Sequence, residues 1–185
     1  DQTVFSCPDK RVRSNPSKMQ VVHVGRIDPS KNIETIIELF IEKFPSKNSV
    51  LHLIGTNSEK YAHYATSLKS RFKSQMDSGQ VIFHGKKDQV FINNMLCNSD
   101  IFLHAFLGSL DKTLIEAILS KTFVISSNQA FIKEFGCLGK VSEFDNLSAF
   151  LSQELNIYQQ SDVSELQSIV DRRHQHALNN HSRRQ

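Results

Sequence analysis

The chain of 185 residues has no tryptophan, only seven glycines and four prolines, and three cysteines. So few glycines and prolines exclude a collagen-like or linker-like polymer. No apolar run approaches the roughly 18 residues of a membrane-spanning helix, and the start, Asp1-Gln2-Thr3, lacks a secretory-signal pattern. It also lacks an initiator Met, which suggests a fragment. Cys7, Cys97 and Cys137 are widely spaced and include no C-x-x-C pair. They read as reduced thiols of a cytoplasmic protein, not as a disulfide framework or a zinc site. No D-x-D motif or His/Cys cluster offers a metal site; His174, His176 and His181, beside Arg172 and Arg173, read as a solvated basic face. The excess of positive charge is small, +3 with a pI near 8.8. It suits an anionic ligand or a peripheral membrane contact and is too weak to argue for nucleic acid.

What remains is an ordinary globular composition, 39% hydrophobic, in a length suited to one domain with a real core. Short apolar runs alternate with helical periods. Strands are expected at Met19–Val24, Val50–Ile54, Val81–His84, Ile101–Phe106 and Phe123–Ser126, with a weaker sixth at Val141–Phe144. Helices are expected over Ile33–Phe44, Tyr61–Met76, Val90–Cys97 and Thr113–Ser120, and from Asp162 towards the end. This alternation predicts a single Rossmann-like α/β domain over 1–185: a parallel sheet of about six strands with helices on both faces, an N-terminal linking segment (1–17) and a docked C-terminal helix (162–185).

In such a sheet, ligands bind beyond the carboxyl ends of the strands. The loop after the first strand reads Gly25-Arg26-Ile27-Asp28-Pro29-Ser30-Lys31. Gly25 permits close approach, and two cations stand at the mouth of a helix whose free N–H groups favour anions, a combination suited to a diphosphate. The same residues could equally form a solvated charged loop. After the fourth strand comes Gly108-Ser109-Leu110-Asp111-Lys112-Thr113, where Ser109 or Asp111 can cap the next helix. Glu116 lies within an otherwise apolar stretch of that helix, where a carboxylate is paired, solvent-facing or holding ligand hydroxyls. The turn Ser126-Ser127-Asn128-Gln129-Ala130 is polar but not diagnostic.

Together these segments resemble the C-terminal domain of the retaining GT-B glycosyltransferases (glycosyltransferase group 1 family). The resemblance rests on Gly25-Arg26 with Lys31, then LHLIG at 51–55, VIFHG at 81–85, NSDIFLH at 98–104 and GSLDKTLIEAILSKTFVISSN from Gly108, in order, and covers roughly residues 15–150. It implies donor binding by a nucleotide-diphospho-sugar with no other cofactor and no metal. Arg26 and Lys31 would neutralise the leaving diphosphate, and Glu116 would contact ribose hydroxyls. Gly25, Gly108, Ser109, Leu110, Asp111 and Lys112 would line the phosphates and sugar, with Gly85 and Lys86 near the base. The acceptor-binding N-terminal half would lie outside this chain, so a hexosyltransferase is expected to be inactive as this domain alone. Counting back from Glu116, the first of the family's paired glutamates is replaced by Gly108. That departure keeps open a second reading, a GT-B-like binding or scaffolding module without catalysis. Another GT-B enzyme, an epimerase or phosphorylase, is a third.

Overall fold

A computed structural model describes residues 7, 9–12, 16–139 and 146–181. Five strands, β1 (Gln20–Val24), β2 (Val50–Ile54), β3 (Val81–Gly85), β4 (Ile101–His104) and β5 (Phe123–Ser126), pair in parallel in the order β3-β2-β1-β4-β5. Every residue of β4 and β5 is buried, which is why their sequences run apolar without alternation. The sixth expected strand, Val141–Phe144, lies outside the described residues.

The helices are α1 (Ile33–Lys43), α2 (Ala62–Arg71), α3 (Lys73–Asp77), α4 (Gln89–Asn98), α5 (Lys112–Leu119), α6 (Gln129–Phe135), α7 (Leu147–Gln160) and α8 (Val163–His181). Right-handed crossovers from β1 to β2 and from β4 to β5 run in opposite directions along the sheet, so α1 and α5 cover opposite faces. In α1, Ile33, Ile36, Ile37 and Phe40 are all fully buried at three- and four-residue spacing. The single helix expected over Tyr61–Met76 breaks at Phe72, which leaves helical geometry and buries its ring. Strand β4 ends at His104, and Ala105-Phe106 belongs to the loop beyond. α6 and α7 were not expected from the sequence. Each begins with an asparagine whose side chain accepts from a first-turn N–H: Asn128 from Phe131, and Asn146 from Ala149.

Two expectations about side chains are corrected. Cys7 and Cys97 form a disulfide with their Cα atoms 5.7 Å apart, leaving Cys137 as the free thiol. Ninety positions of sequence separate the pair, and only the packing of the N-terminal segment on the end of α4 brings them together. The ground for reading a reducing compartment is thereby removed. Lys10 reinforces the same attachment, donating to the Leu96 carbonyl at 2.6 Å and the Thr122 hydroxyl at 2.8 Å. The histidines of α8 are not a wholly solvated face either: the His174 ring lies 3.2 Å from the Ile118 carbonyl, while the part-exposed His176 and His181 converge on Glu134. Among the described residues, no helix is long and apolar enough to cross a membrane.

Candidate functional site

The sheet order places β1 beside β4, with their connections leaving to opposite sides. A crevice opens at such a switch point, beyond the carboxyl ends of the two strands. The loops meeting there are cross-linked. After β1, Asp28 accepts from the Ser30 N–H and caps a short 3-10 turn, Pro29–Lys31. Asn32 follows in the left-handed region (φ 51°), and its amide donates to the Ala105 carbonyl across the crevice at 2.8 Å.

Lys31 and Asp111 span the same gap. The ammonium lies 2.6 Å from Asp111 Oδ2 and 3.6 Å from the centre of the Phe106 ring. Both effects explain how a lysine can be buried here. Asp111 is also the cap of α5, accepting from the Thr113 N–H at 3.3 Å. Burial would raise its pKa, but the nearby His104 ring and the hydrogen-bonded Lys31 ammonium outweigh that and hold the carboxyl well below the usual range. Arg26 is differently placed: its side chain is 69% exposed and pairs with Asp28 at 3.4 Å. The two cations expected to act together therefore begin in different states, one open to solvent and one engaged.

Glu116 sits on the second turn of α5 and is buried, 3.4 Å from the Lys112 ammonium and 3.5 Å from the Gln89 amide. Burial pushes its pKa up, against the opposing pull of Lys112 and Gln89. Gln89 opens α4, directly after the loop 86–88, so the Glu116 carboxylate is linked to the start of the helix that follows that loop. Gly85 has positive φ (68°), and its carbonyl accepts from the Gly55 N–H at 3.0 Å. Gly55 in turn approaches Gly25 so closely that a Cβ would stand 1.9 Å from the Gly25 oxygen. These contacts lock the ends of β1, β2 and β3 into one rim. A cavity of about 260 Å³ at this rim is lined by Ile27, Gly55, Lys69, His84 and Gly85, among others.

The Gly108 loop is held by a residue that sequence reading passes over. Asn128 is fully buried, and its amide nitrogen lies 3.1, 2.8 and 3.2 Å from the carbonyls of Phe106, Gly108 and Ser109. Its place in a polar turn before a short apolar stretch was the available signal. Gly108 is crowded: a Cβ would meet Phe106 ring carbons at 2.2 to 2.9 Å, so no side chain fits there while the ring keeps its place. Ser109 and Lys112 are exposed at the rim, and Leu110 packs against the core. Two buried histidines, His23 on β1 and His104 on β4, stack 6.1 Å apart beneath the loops. No ligand role was expected for either. Among the described residues, no group of three or more His, Cys, Asp or Glu side chains could hold a metal ion.

A family model described as glycosyl transferases group 1 matches residues 9–166. A search of curated protein sequences finds no match. Among solved structures, the chain is similar to HepE from Anabaena, crystallised with UDP and glucose (TM-score 0.76, 18% identity, covering 97% of this chain and 50% of that one). It is similar to the C-terminal domain of LpcC, a glycosyl transferase group 1 family protein from Francisella tularensis (TM-score 0.76, 21% identity, covering 98% and 97%). It is also similar to the catalytic domain of the Helicobacter pylori cholesterol-α-glucosyltransferase (TM-score 0.66, 19% identity, covering 88% and 98%). The chain thus spans half the length of HepE and nearly the whole of the LpcC domain.

Proposed function

The chain belongs to the glycosyl transferases group 1 family, and on that premise we propose that it is the donor-binding half of a GT-B enzyme that transfers a hexose from a nucleoside diphosphate with retention and without a metal. The observation that carries the reading is the meeting of Lys31 with Asp111, the cap of α5, across the crevice between β1 and β4, with Glu116 buried on the same helix. Transfer leaves negative charge growing on the diphosphate. Fixed cations aimed at that charge stabilise the transition state more than the ground state. Exposed Arg26 offers a planar fork and Lys31 a point charge, so the protein supplies what a divalent cation would otherwise supply. Glu116, buried and with raised pKa, suits contact with ribose hydroxyls, since the bonds they donate replace lost hydration. The bond from Gln89, three residues beyond Lys86, to Glu116 favours seating the base beside the Gly85-Lys86 segment.

HepE with UDP and glucose, and the pneumococcal O-GlcNAc transferase GtfA with UDP and GlcNAc, make a UDP-sugar the first donor to test. The acceptor site belongs to a second half, as the length of HepE suggests, and exposed Val90 and Leu107, neighbours of Gln89 and Gly108, are apolar surface available to it.

Calorimetric titration of UDP, GDP and ADP into the chain should show binding of one of them, weakened at least about tenfold in Arg26→Ala and in Lys31→Ala. In the two-half enzyme each substitution should lower turnover about a hundredfold or more, the usual effect of removing one charge-stabilising donor. Near-normal turnover in both would exclude the diphosphate role.

A second reading is favoured by Gly108, where Phe106 fills the space that a first glutamate would need. By that reading the module binds a nucleotide and transfers nothing. Assay of sugar transfer with the acceptor half present separates the two.

A further inference from the structure

His104 ends β4 with its ring fully buried. From behind, the ring is fixed by Ser126: Nδ1 lies 2.9 Å from the hydroxyl oxygen, which also accepts from the Asn128 backbone N–H at 3.1 Å. In front, Nε2 has no hydrogen-bond partner. It stands 3.5 Å from Asp111 Oδ2, the same oxygen that takes the Lys31 ammonium at 2.6 Å. A carboxylate oxygen can only accept, so the nitrogen facing it carries the ring proton. Nδ1 then accepts from the Ser126 hydroxyl, which fixes the tautomer. The remaining groups against the ring are Phe102, Phe106 and His23, the last kept uncharged because burial lowers its pKa to about 3.

We propose that His104 is a positioning residue of the donor site: its Nε2–H is the second partner of the Asp111 carboxylate and holds it when Lys31 turns to a donor diphosphate. The proposal rests on the reading that Lys31 contacts that diphosphate. In the free chain Asp111 and Lys31 satisfy each other. A diphosphate draws the ammonium away and brings negative charge near a half-buried carboxylate, which is costly unless another donor replaces the lysine. His104 is already aimed at the right oxygen and needs only to close a gap slightly longer than a normal hydrogen bond. It touches no donor atom itself. Its effect is to ease the release of Lys31.

The test uses the full chain, with inorganic pyrophosphate and UDP titrated by calorimetry and the imidazole nitrogens followed by ¹⁵N NMR. In His104→Leu both anions should bind about tenfold more weakly, the effect expected for one hydrogen bond to a charged group. His104→Gln, whose amide N–H reaches near the Nε2 position, should return affinity to within about threefold of the parent. In an Asp111→Asn background, His104→Leu should change nothing, because the carboxylate it serves is gone. Unchanged anion binding in His104→Leu, or a loss that persists in the Asp111→Asn background, overturns the proposal. If His104→Leu does not fold, the glutamine variant and the NMR decide. The spectrum should show His104 neutral near pH 7 with its proton on Nε2; a proton on Nδ1 overturns the proposal whatever the binding data. Undiminished binding of both anions by Lys31→Ala overturns the diphosphate reading itself. Failure confined to His104 is recognised because the Lys31 variant still loses the anions.

Discussion

At Gly108 the absence of a side chain is enforced by Phe106, whose ring occupies the space a Cβ would need. Overpacking of this kind typically costs about 1–3 kcal/mol, and Gly108→Ala should be destabilised by that amount in urea denaturation. The cost should be coupled to the ring: Phe106→Ala/Gly108→Ala is expected to be more stable than the sum of the single effects predicts. Additive losses would show that the ring is not the obstacle. The gap at 108 was legible in the sequence by counting back from Glu116, but its cause was not, because Phe106 and Gly108 clash only once the loop is folded. Lys31, Asp111 and Glu116 were legible as chemical types at loop and helix mouths. That Lys31 and Asp111 pair with one another was not, since 80 positions separate them. Asn128 and His104 gave weaker signals still, as their roles are exercised on carbonyls and a carboxylate supplied by other segments.

Among elements, the five strands were readable because continuous apolar runs bounded by polar or glycine-containing turns have few other interpretations in an α/β chain. Helix α6 was not: its seven residues make two turns, too few for periodicity to speak. α7 does carry Phe150, Leu151, Leu155 and Tyr158 on one buried face, but charged and amide residues between them dilute the pattern. The disulfide joins the end of α4, at the amino edge of the sheet, to the N-terminal segment. Loop-closure entropy for a crosslink spanning 90 positions amounts to about 4–5 kcal/mol. Reduction, or Cys97→Ala, should lower the unfolding free energy by up to that amount. It should leave nucleotide affinity unaltered, since the bond lies at the opposite end of the strands from Lys31. Equal stability with and without reductant would show that the crosslink does not constrain the unfolded chain.

For the whole molecule, acid sensitivity follows from the buried imidazoles. Burial lowers His23 to about 3 and His52 to about 4, and it lowers His104 as well. A histidine with a depressed folded-state pKa contributes fully above its unfolded value of about 6.5. That contribution is lost as pH falls, because the unfolded chain binds the proton first. For His23 alone the loss between pH 7 and pH 5 is about 2 kcal/mol. His52, which is less buried, should add less. Asp111 works in a lower window: its depressed pKa gives stability above the ordinary carboxylate value, and that stability is lost only in stronger acid. Denaturation midpoints should therefore fall between pH 7 and pH 5, and His23→Phe should flatten the fall. A pH-independent midpoint over that range would mean the imidazoles are not buried neutral.

The enclosure of Lys31 has a practical consequence. An amine clasped by a carboxylate and roofed by an aromatic ring is a poor nucleophile toward acylating reagents, whereas the Lys112 ammonium, 76% exposed on the residue next to Asp111, is open to them. Peptide mapping after brief acetylation would thus report, from the ratio of label at these two sites, how firmly the clasp is shut in the free chain.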